Sequence, residues 1–182
     1  MIPQNTKRTV CCCLPTLTDP MLESSMALDE AIFNSQHCRV RKQWIKGDTC
    51  IGRVRSKQME YFWSETDDDF YFHISGDIEI LNRAKDDNIF DRLVAHDLPV
   101  VGALYPPSRM SEKHCTSRMV YPGVPAWDAG LVPVHWLSGG VWMIRRDTVA
   151  RMRRAYPQLM VEGEDGVLSM LFLECMHQSD PE

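Results

Sequence analysis

The chain begins with a polar stretch, Met1 to Arg8, and then runs apolar from Thr9 to Leu14 until Pro15 stops it. A short, unbroken apolar run predicts a strand covered on both faces. Asp19-Pro20 has the form of a helix N-cap with proline at the first helical position. Met21, Leu22, Met26, Leu28 and Ile32 follow at spacings that make one broad helical face. His37 to Ile45 alternates around Val40 and Trp44 and predicts a second strand, and Asp48 or Thr49 can cap a helix carrying Ile51, Val54, Met59 and Phe62. Phe70 to Ser75 predicts a third strand that ends at Gly76-Asp77-Ile78-Glu79. Ile89, Phe90, Leu93 and Val94 mark another helix, and Pro99 to Tyr105 a fourth strand, stopped by Pro106-Pro107. Strands and helices alternate throughout this stretch, which argues for an α/β fold with a mostly parallel central sheet flanked by helices.

The pattern breaks after residue 107. Ser108 to Gly130 is polar, rich in proline and glycine, and without period; a loop this long in a compact domain is functional or disordered. Leu131 to Leu137 and Val141 to Arg146 predict two strands around Ser138-Gly139-Gly140. Asp147 is expected to cap a short basic helix ending near Tyr156-Pro157. A last helix is expected from Glu164-Asp165, carrying Val167, Leu168, Leu171, Phe172 and Cys175.

Composition narrows the class. A chain of 182 residues suits a single domain over 1–182, large enough for a core without disulfide or metal staples. The polar ending, Ser179 to Glu182, reads as a linker or truncation point, with the chain then the N-terminal part of a longer polypeptide. The net charge of -5 carries no nucleic-acid footprint, so an anionic substrate must be held by local cations, metal or backbone amides. The 7 cysteines are odd in number, without a CxxC pair, and Cys11, Cys12 and Cys13 are consecutive in the first apolar run. They read as buried thiols in a reducing, cytoplasmic compartment. No run approaches the ~20 apolar residues of a membrane span, and the polar N-terminus is not a signal peptide.

Four groups of residues are candidates for chemistry, and each has a plainer reading. Asp77 and Glu79 follow a buried strand, where ligands bind in open α/β sheets, and could give hard oxygen ligands to Mg²⁺ or Mn²⁺; equally, they are two acids in a polar loop. Glu164 and Asp165 beside Gly163 could supply a general base, or simply favour a helix N-terminus. Ser138, Gly139 and Gly140 lie between Trp136 and Trp142, so the glycines would let a ligand near the backbone and the aromatic faces would suit a sugar; a hairpin turn accounts for them as well. Arg53 and Arg55 could reach a diphosphate or line a solvated helix face. Arg145, Arg146, Arg151, Arg153 and Arg154 read mostly as a surface face, and His73, inside the third strand, reads as packing.

Taken in order, these pieces resemble the GT-A fold glycosyltransferases, in particular small bacterial and viral members similar to the family-2 inverting enzymes, including those of large DNA viruses of algae. The resemblance covers Thr9 to Phe172. It rests on Leu14-Pro15-Thr16, on Ile51-Gly-Arg-Val-Arg-Ser56, and on Phe72-His-Ile-Ser-Gly-Asp-Ile78. Val100-Val-Gly-Ala-Leu-Tyr105, Ser138-Gly-Gly-Val-Trp-Met-Ile-Arg145 and Gly163-Glu-Asp165 complete it. It implies that Pro15, Thr16, Arg53, Arg55, Gly76 and Asp77 line a nucleotide-sugar, UDP-linked by preference, and that Asp77 and Glu79 hold Mn²⁺ or Mg²⁺. It also implies that Trp136, Ser138, Gly139 and Gly140 shape the side of a glycan or glycoprotein acceptor, and that Asp165, helped by Glu164, is the catalytic base. The family's DxD stands here as Ser75-Gly76-Asp77, so its first acid is missing and Glu79 is the candidate replacement. Two other readings remain: a non-catalytic sugar- or nucleotide-binding domain, and a nucleotidyltransferase. The latter is disfavoured because Leu14 to Pro20 has neither glycine nor cation.

Overall fold

A computed structural model describes residues 7–16, 21–46, 50–106, 117–119, 130–163 and 166–169. The elements in chain order are β1 (Arg8–Thr16), α1 (Leu22–Asn34), β2 (Cys38–Lys46), α2 (Ile51–Glu65), β3 (Phe70–Ile74), α3 (Ile89–Ala95) and β4 (Val100–Gly102). After them come β5 (Arg118–Met119), β6 (Val134–Trp136), β7 (Val141–Arg145), α4 (Arg146–Ala155), a 3-10 turn at Pro157–Leu159, β8 (Met160–Gly163) and β9 (Gly166–Ser169). Five strands form the central sheet in the order β2-β1-β3-β7-β4. β1 pairs parallel with β2 and β3, and β7 runs antiparallel to both β3 and β4. The sheet is therefore mostly parallel and flanked by helices, as the alternation of elements predicts, with β7 reversed.

The cysteine triplet shows how the layers are built. β1 alternates sides: Val10, Cys12 and Leu14 join Leu28 and Ala31 of α1 and Phe90 of α3 on one face. Cys11 and Cys13 join Met59 and Phe62 of α2, Tyr71, and Val149 of α4 on the other. A strand apolar at every position is what a sheet with helices on both faces requires. The three thiols are fully buried. Burial pushes the Cys12 thiol well up, and its contact with Cys11, together with burial, does the same for Cys13. They behave as small apolar groups, as expected.

Several expectations need correction. In α1 the buried positions are Ser24, Ala27, Leu28 and Ala31, while Met21, Leu22 and Met26 are 58–68% exposed. The helix lies on the sheet through its small residues, which a pattern of large side chains does not reveal. Cys50 is the N-cap of α2, and Asp48 and Thr49 lie outside the described residues. Asp19 and Pro20 lie outside the described residues. The basic helix starts at Arg146, so Asp147 sits in its first turn, where it pairs with Arg145.

The largest correction is at the C-terminus. Met160–Gly163 and Gly166–Ser169 pair antiparallel, with Gly163 opposite Gly166, where a helix from Glu164 is expected. Glycines at both positions disfavour a helix, and Val167 favours a strand. Glu164, Asp165, Leu171, Phe172 and Cys175 lie outside the described residues.

Candidate functional site at the carboxyl end of the sheet

The carboxyl ends of β1, β3 and β4 and the amino end of the reversed β7 meet at one edge of the sheet, since Ile74 pairs with Val141 and Gly102 with Trp142. Two of the expected groups are brought together there. The turn after β3, Ser75 to Ile78, is closed by the Ile78 N–H on the Ser75 carbonyl, and the Ser75 N–H donates to the Gly140 carbonyl at 2.8 Å. The half-exposed Ile78 side chain packs against Gly140, where an added Cβ would meet its Cδ1 at 2.6 Å and collide with the Tyr105 hydroxyl.

Ser138-Gly139-Gly140 is not the hairpin turn that its flanks allow. β6 pairs with β5 in a separate two-stranded sheet, while β7 enters the central sheet between β3 and β4. The segment is instead a tether between two sheets. Tyr105 and Ser138 share a short hydroxyl–hydroxyl hydrogen bond, and the Ser138 N–H donates to the Ser117 hydroxyl at 3.0 Å. Trp136, in β6, is 54% exposed.

Arg55 reaches this loop from α2. Its Nη2 donates to the Gly139 carbonyl at 2.8 Å, and a Cβ at Gly139 would sit 2.9 Å from both Nη atoms. The Nε is buried without a hydrogen-bond partner. The Gly139 contact is its single hydrogen bond, and no carboxylate pairs with it among the described residues. Half-buried charges are ordinarily paired, so this cation is unusual. Arg53, two residues earlier, is exposed.

Below Arg55 lies a polar layer around His73, whose place inside a strand predicts only packing. His73 is fully buried, stacked on Trp142 at 5.3 Å. Burial, reinforced by the nearby Arg55 charge and opposed by the Gly139 backbone, lowers its pKa to about 3. The ring is therefore neutral at any physiological pH. Its Nδ1 faces the Tyr71 hydroxyl at 3.5 Å, which donates to Gln58 Oε1 at 3.2 Å. A histidine and a tyrosine two apart on a strand point to the same face, and that spacing is the signal the sequence offered for this layer.

Asp77 is exposed. Glu79 is exposed too, but its carboxylate pairs with Arg83 at 3.2 Å, and Arg83 also pairs with Glu30 at 2.7 Å. Among the described residues no three His, Cys, Asp or Glu side chains converge as a metal cluster. Mg²⁺ is commonly held by one or two carboxylates plus substrate phosphates. Asp77 suits that mode, whereas Glu79 would first have to leave Arg83. Pro15 is half-buried near the end of β1, and Thr16 closes the strand opposite Lys46. An open depression of about 370 Å³, lined by Thr9, Arg41, Thr66 and Asp68 among others, lies at the amino end of the strands and contains none of these residues.

The basic run is also not a plain surface face. Arg146 donates to the carbonyls of Phe62, Trp63, Thr66 and Asp68, and Arg153 pairs with Glu60 at 2.6 Å with both side chains 18% exposed. These arginines bind α4 to α2.

The fold defined here is α/β: a mixed, mostly parallel sheet with helices on both faces. The chain is similar to the crystal structure of A197 from STIV, with a TM-score of 0.57 and 13% identity over 87% of this chain and 73% of that one. At that identity the likeness concerns the fold. No family model matches the chain, and no curated protein does. No helix among the described residues is long and apolar enough to cross a membrane.

Proposed function

We propose that this chain is a GT-A-type glycosyltransferase domain that moves a sugar from a nucleotide-diphosphate sugar, UDP-linked by preference, to a hydroxyl of a glycan or glycoprotein. The observation that carries the reading is Arg55. An arginine without a carboxylate partner among the described residues stands at the carboxyl end of an α/β sheet, where ligands of such sheets bind, and its fork geometry suits a phosphate. Asp77 lies exposed in the turn that packs on the same glycine loop.

In this reading the donor's diphosphate meets Arg55, with Pro15 and Thr16 on the nucleotide side. Gly139 and Gly140 let the acceptor approach the backbone, and Trp136 offers an aromatic face. Asp165, oriented by Glu164, takes the proton of the acceptor hydroxyl. Its oxygen attacks the anomeric carbon, and the bond to the diphosphate breaks with inversion. Mn²⁺ or Mg²⁺ at Asp77 would neutralise charge on the leaving diphosphate. The second reading, a binding domain without catalysis, draws support from Glu79, the candidate replacement for the missing acid of the DxD, whose carboxylate is engaged by Arg83. Incubation with a panel of nucleotide-sugars, with and without Mn²⁺, separates the two. Donor hydrolysis or transfer supports the enzyme, binding without turnover supports the module, and an absence of both removes the family reading.

A further inference from the structure

We infer that Arg55 couples the donor half of the cleft to the acceptor half. A single guanidinium holds the Gly139 carbonyl and presents its outer Nη N–H groups to the donor's diphosphate, so that filling one half sets the geometry of the other. The inference rests on the proposed reading of the cleft.

A guanidinium has five N–H donors in a fixed planar fork. In Arg55 one of them, on Nη2, holds Gly139 at 2.8 Å, and the Nε is enclosed without a hydrogen-bond partner. The group is pinned at one corner and has no carboxylate partner among the described residues. A diphosphate oxygen, being ionised, is a stronger acceptor than a neutral carbonyl. An anion on the outer edge of the fork would therefore fix the side chain, and a fixed side chain fixes Gly139.

The glycines are shaped to this contact. Any Cβ at 139 would press on the guanidinium from 2.9 Å, and any Cβ at 140 would press on Ile78 and Tyr105. Consecutive loop residues thus touch Arg55 on one side and the Asp77 turn on the other, two elements assigned to the donor. The same loop leads through Ser138 toward Trp136 on the acceptor side. Binding linkage of this kind is reciprocal: whatever the donor does to the loop, a ligand on the loop does to donor affinity.

Two substitutions separate the roles. Arg55→Lys keeps the charge but loses the fork. Gly139→Ala keeps the arginine and its charge but pushes the guanidinium off the Gly139 carbonyl, and because only the tip of a flexible side chain must move the fold is retained. The experiment is amide hydrogen exchange of the peptide spanning 137–142, with and without inorganic pyrophosphate plus Mn²⁺, alongside calorimetric titration of the same probe. In the unmodified protein pyrophosphate is expected to slow exchange by about tenfold, within the usual range for coupled sites. Arg55→Lys is expected to bind pyrophosphate more weakly, having lost the fork, and at pyrophosphate concentrations that saturate each variant neither is expected to show the slowing. Pyrophosphate that binds the unmodified protein without slowing the loop, or that slows it equally in both variants, overturns the coupling and leaves the anion site standing. Pyrophosphate that does not bind at all removes the coupling and the anion reading together.

Discussion

Arg146 lies with its guanidinium carbon 4.3 Å from the centre of the Phe62 ring while its Nη2 donates to the Phe62 carbonyl at 2.6 Å. The same guanidinium reaches the carbonyls of Trp63, Thr66 and Asp68, so it closes the C-terminal end of α2, where helix carbonyls lack partners of their own. It thereby ties α4 to α2 and to the approach to β3. Arg146→Ala is expected to destabilise the protein by about 2–4 kcal/mol, since half-buried carbonyls are left without donors. Arg146→Lys should recover only part of this, because a single ammonium cannot span four carbonyls. Urea denaturation of the two variants tests the order; equal midpoints for Arg146→Ala and the unmodified protein would refute it.

His73 predicts an acid sensitivity. An unfolded histidine titrates near 6.5, and the folded one near 3. Between those values the unfolded chain binds a proton that the folded chain refuses. Stability is therefore full above about pH 6.5 and falls as the pH drops toward 3, by up to about 1.4 kcal/mol per unit. His73→Gln should flatten the stability profile between about pH 6.5 and 5, above the range where carboxylates titrate. An unchanged slope in that window would show that His73 is not the group responsible.

Gly102 pairs with Trp142 at the edge of the sheet, and a Cβ there would meet the Val141 carbonyl at 2.6 Å and Leu137 at 2.7 Å. Backbone cannot move aside as a side-chain tip can. Gly102→Ala is expected to cost about 1–3 kcal/mol, the usual range for overpacking. Gly139→Ala should cost less, because Arg55 can swing away. Thermal melts of the two variants give the comparison directly.

Asp77 is the expected metal contact. It is exposed, so Asp77→Ala should leave stability within about 0.5 kcal/mol while abolishing Mn²⁺-dependent donor binding. Glu79→Ala should act more weakly, since that carboxylate is already engaged by Arg83. Calorimetry showing Asp77→Ala binding donor and metal as the unmodified protein does would withdraw the assignment.

Asp165 is the proposed base. Asp165→Asn keeps size and polarity and removes the basic oxygen, so kcat should fall by about 10²–10⁴ with donor affinity little changed. Glu164→Gln is the control and should cost less. Near-normal transfer by Asp165→Asn would sink the catalytic role and leave Glu164 or the binding module.

The alternation of apolar runs was enough to place β1 to β4 with their helices. A strand apolar at every position, such as Val10 to Leu14, has few alternatives to a sheet covered on both faces. What the local pattern could not hold was pairing between distant segments. Val141–Arg145 is apolar wherever it lies, and only the packed sheet inserts it, reversed, between β3 and β4. That insertion turns Ser138-Gly139-Gly140 from an apparent hairpin into a tether and brings it under Arg55, 84 residues away in sequence. Likewise an apolar pair such as Val167 and Leu168 can sit on a helix face or in a strand, and pairing of Met160–Gly163 with Gly166–Ser169 decided for the strand that Val167 favours. Sequence period fixes which side chains share a face of one element. Which elements then meet depends on burial and pairing summed over the whole chain, and the candidate site is made of such meetings.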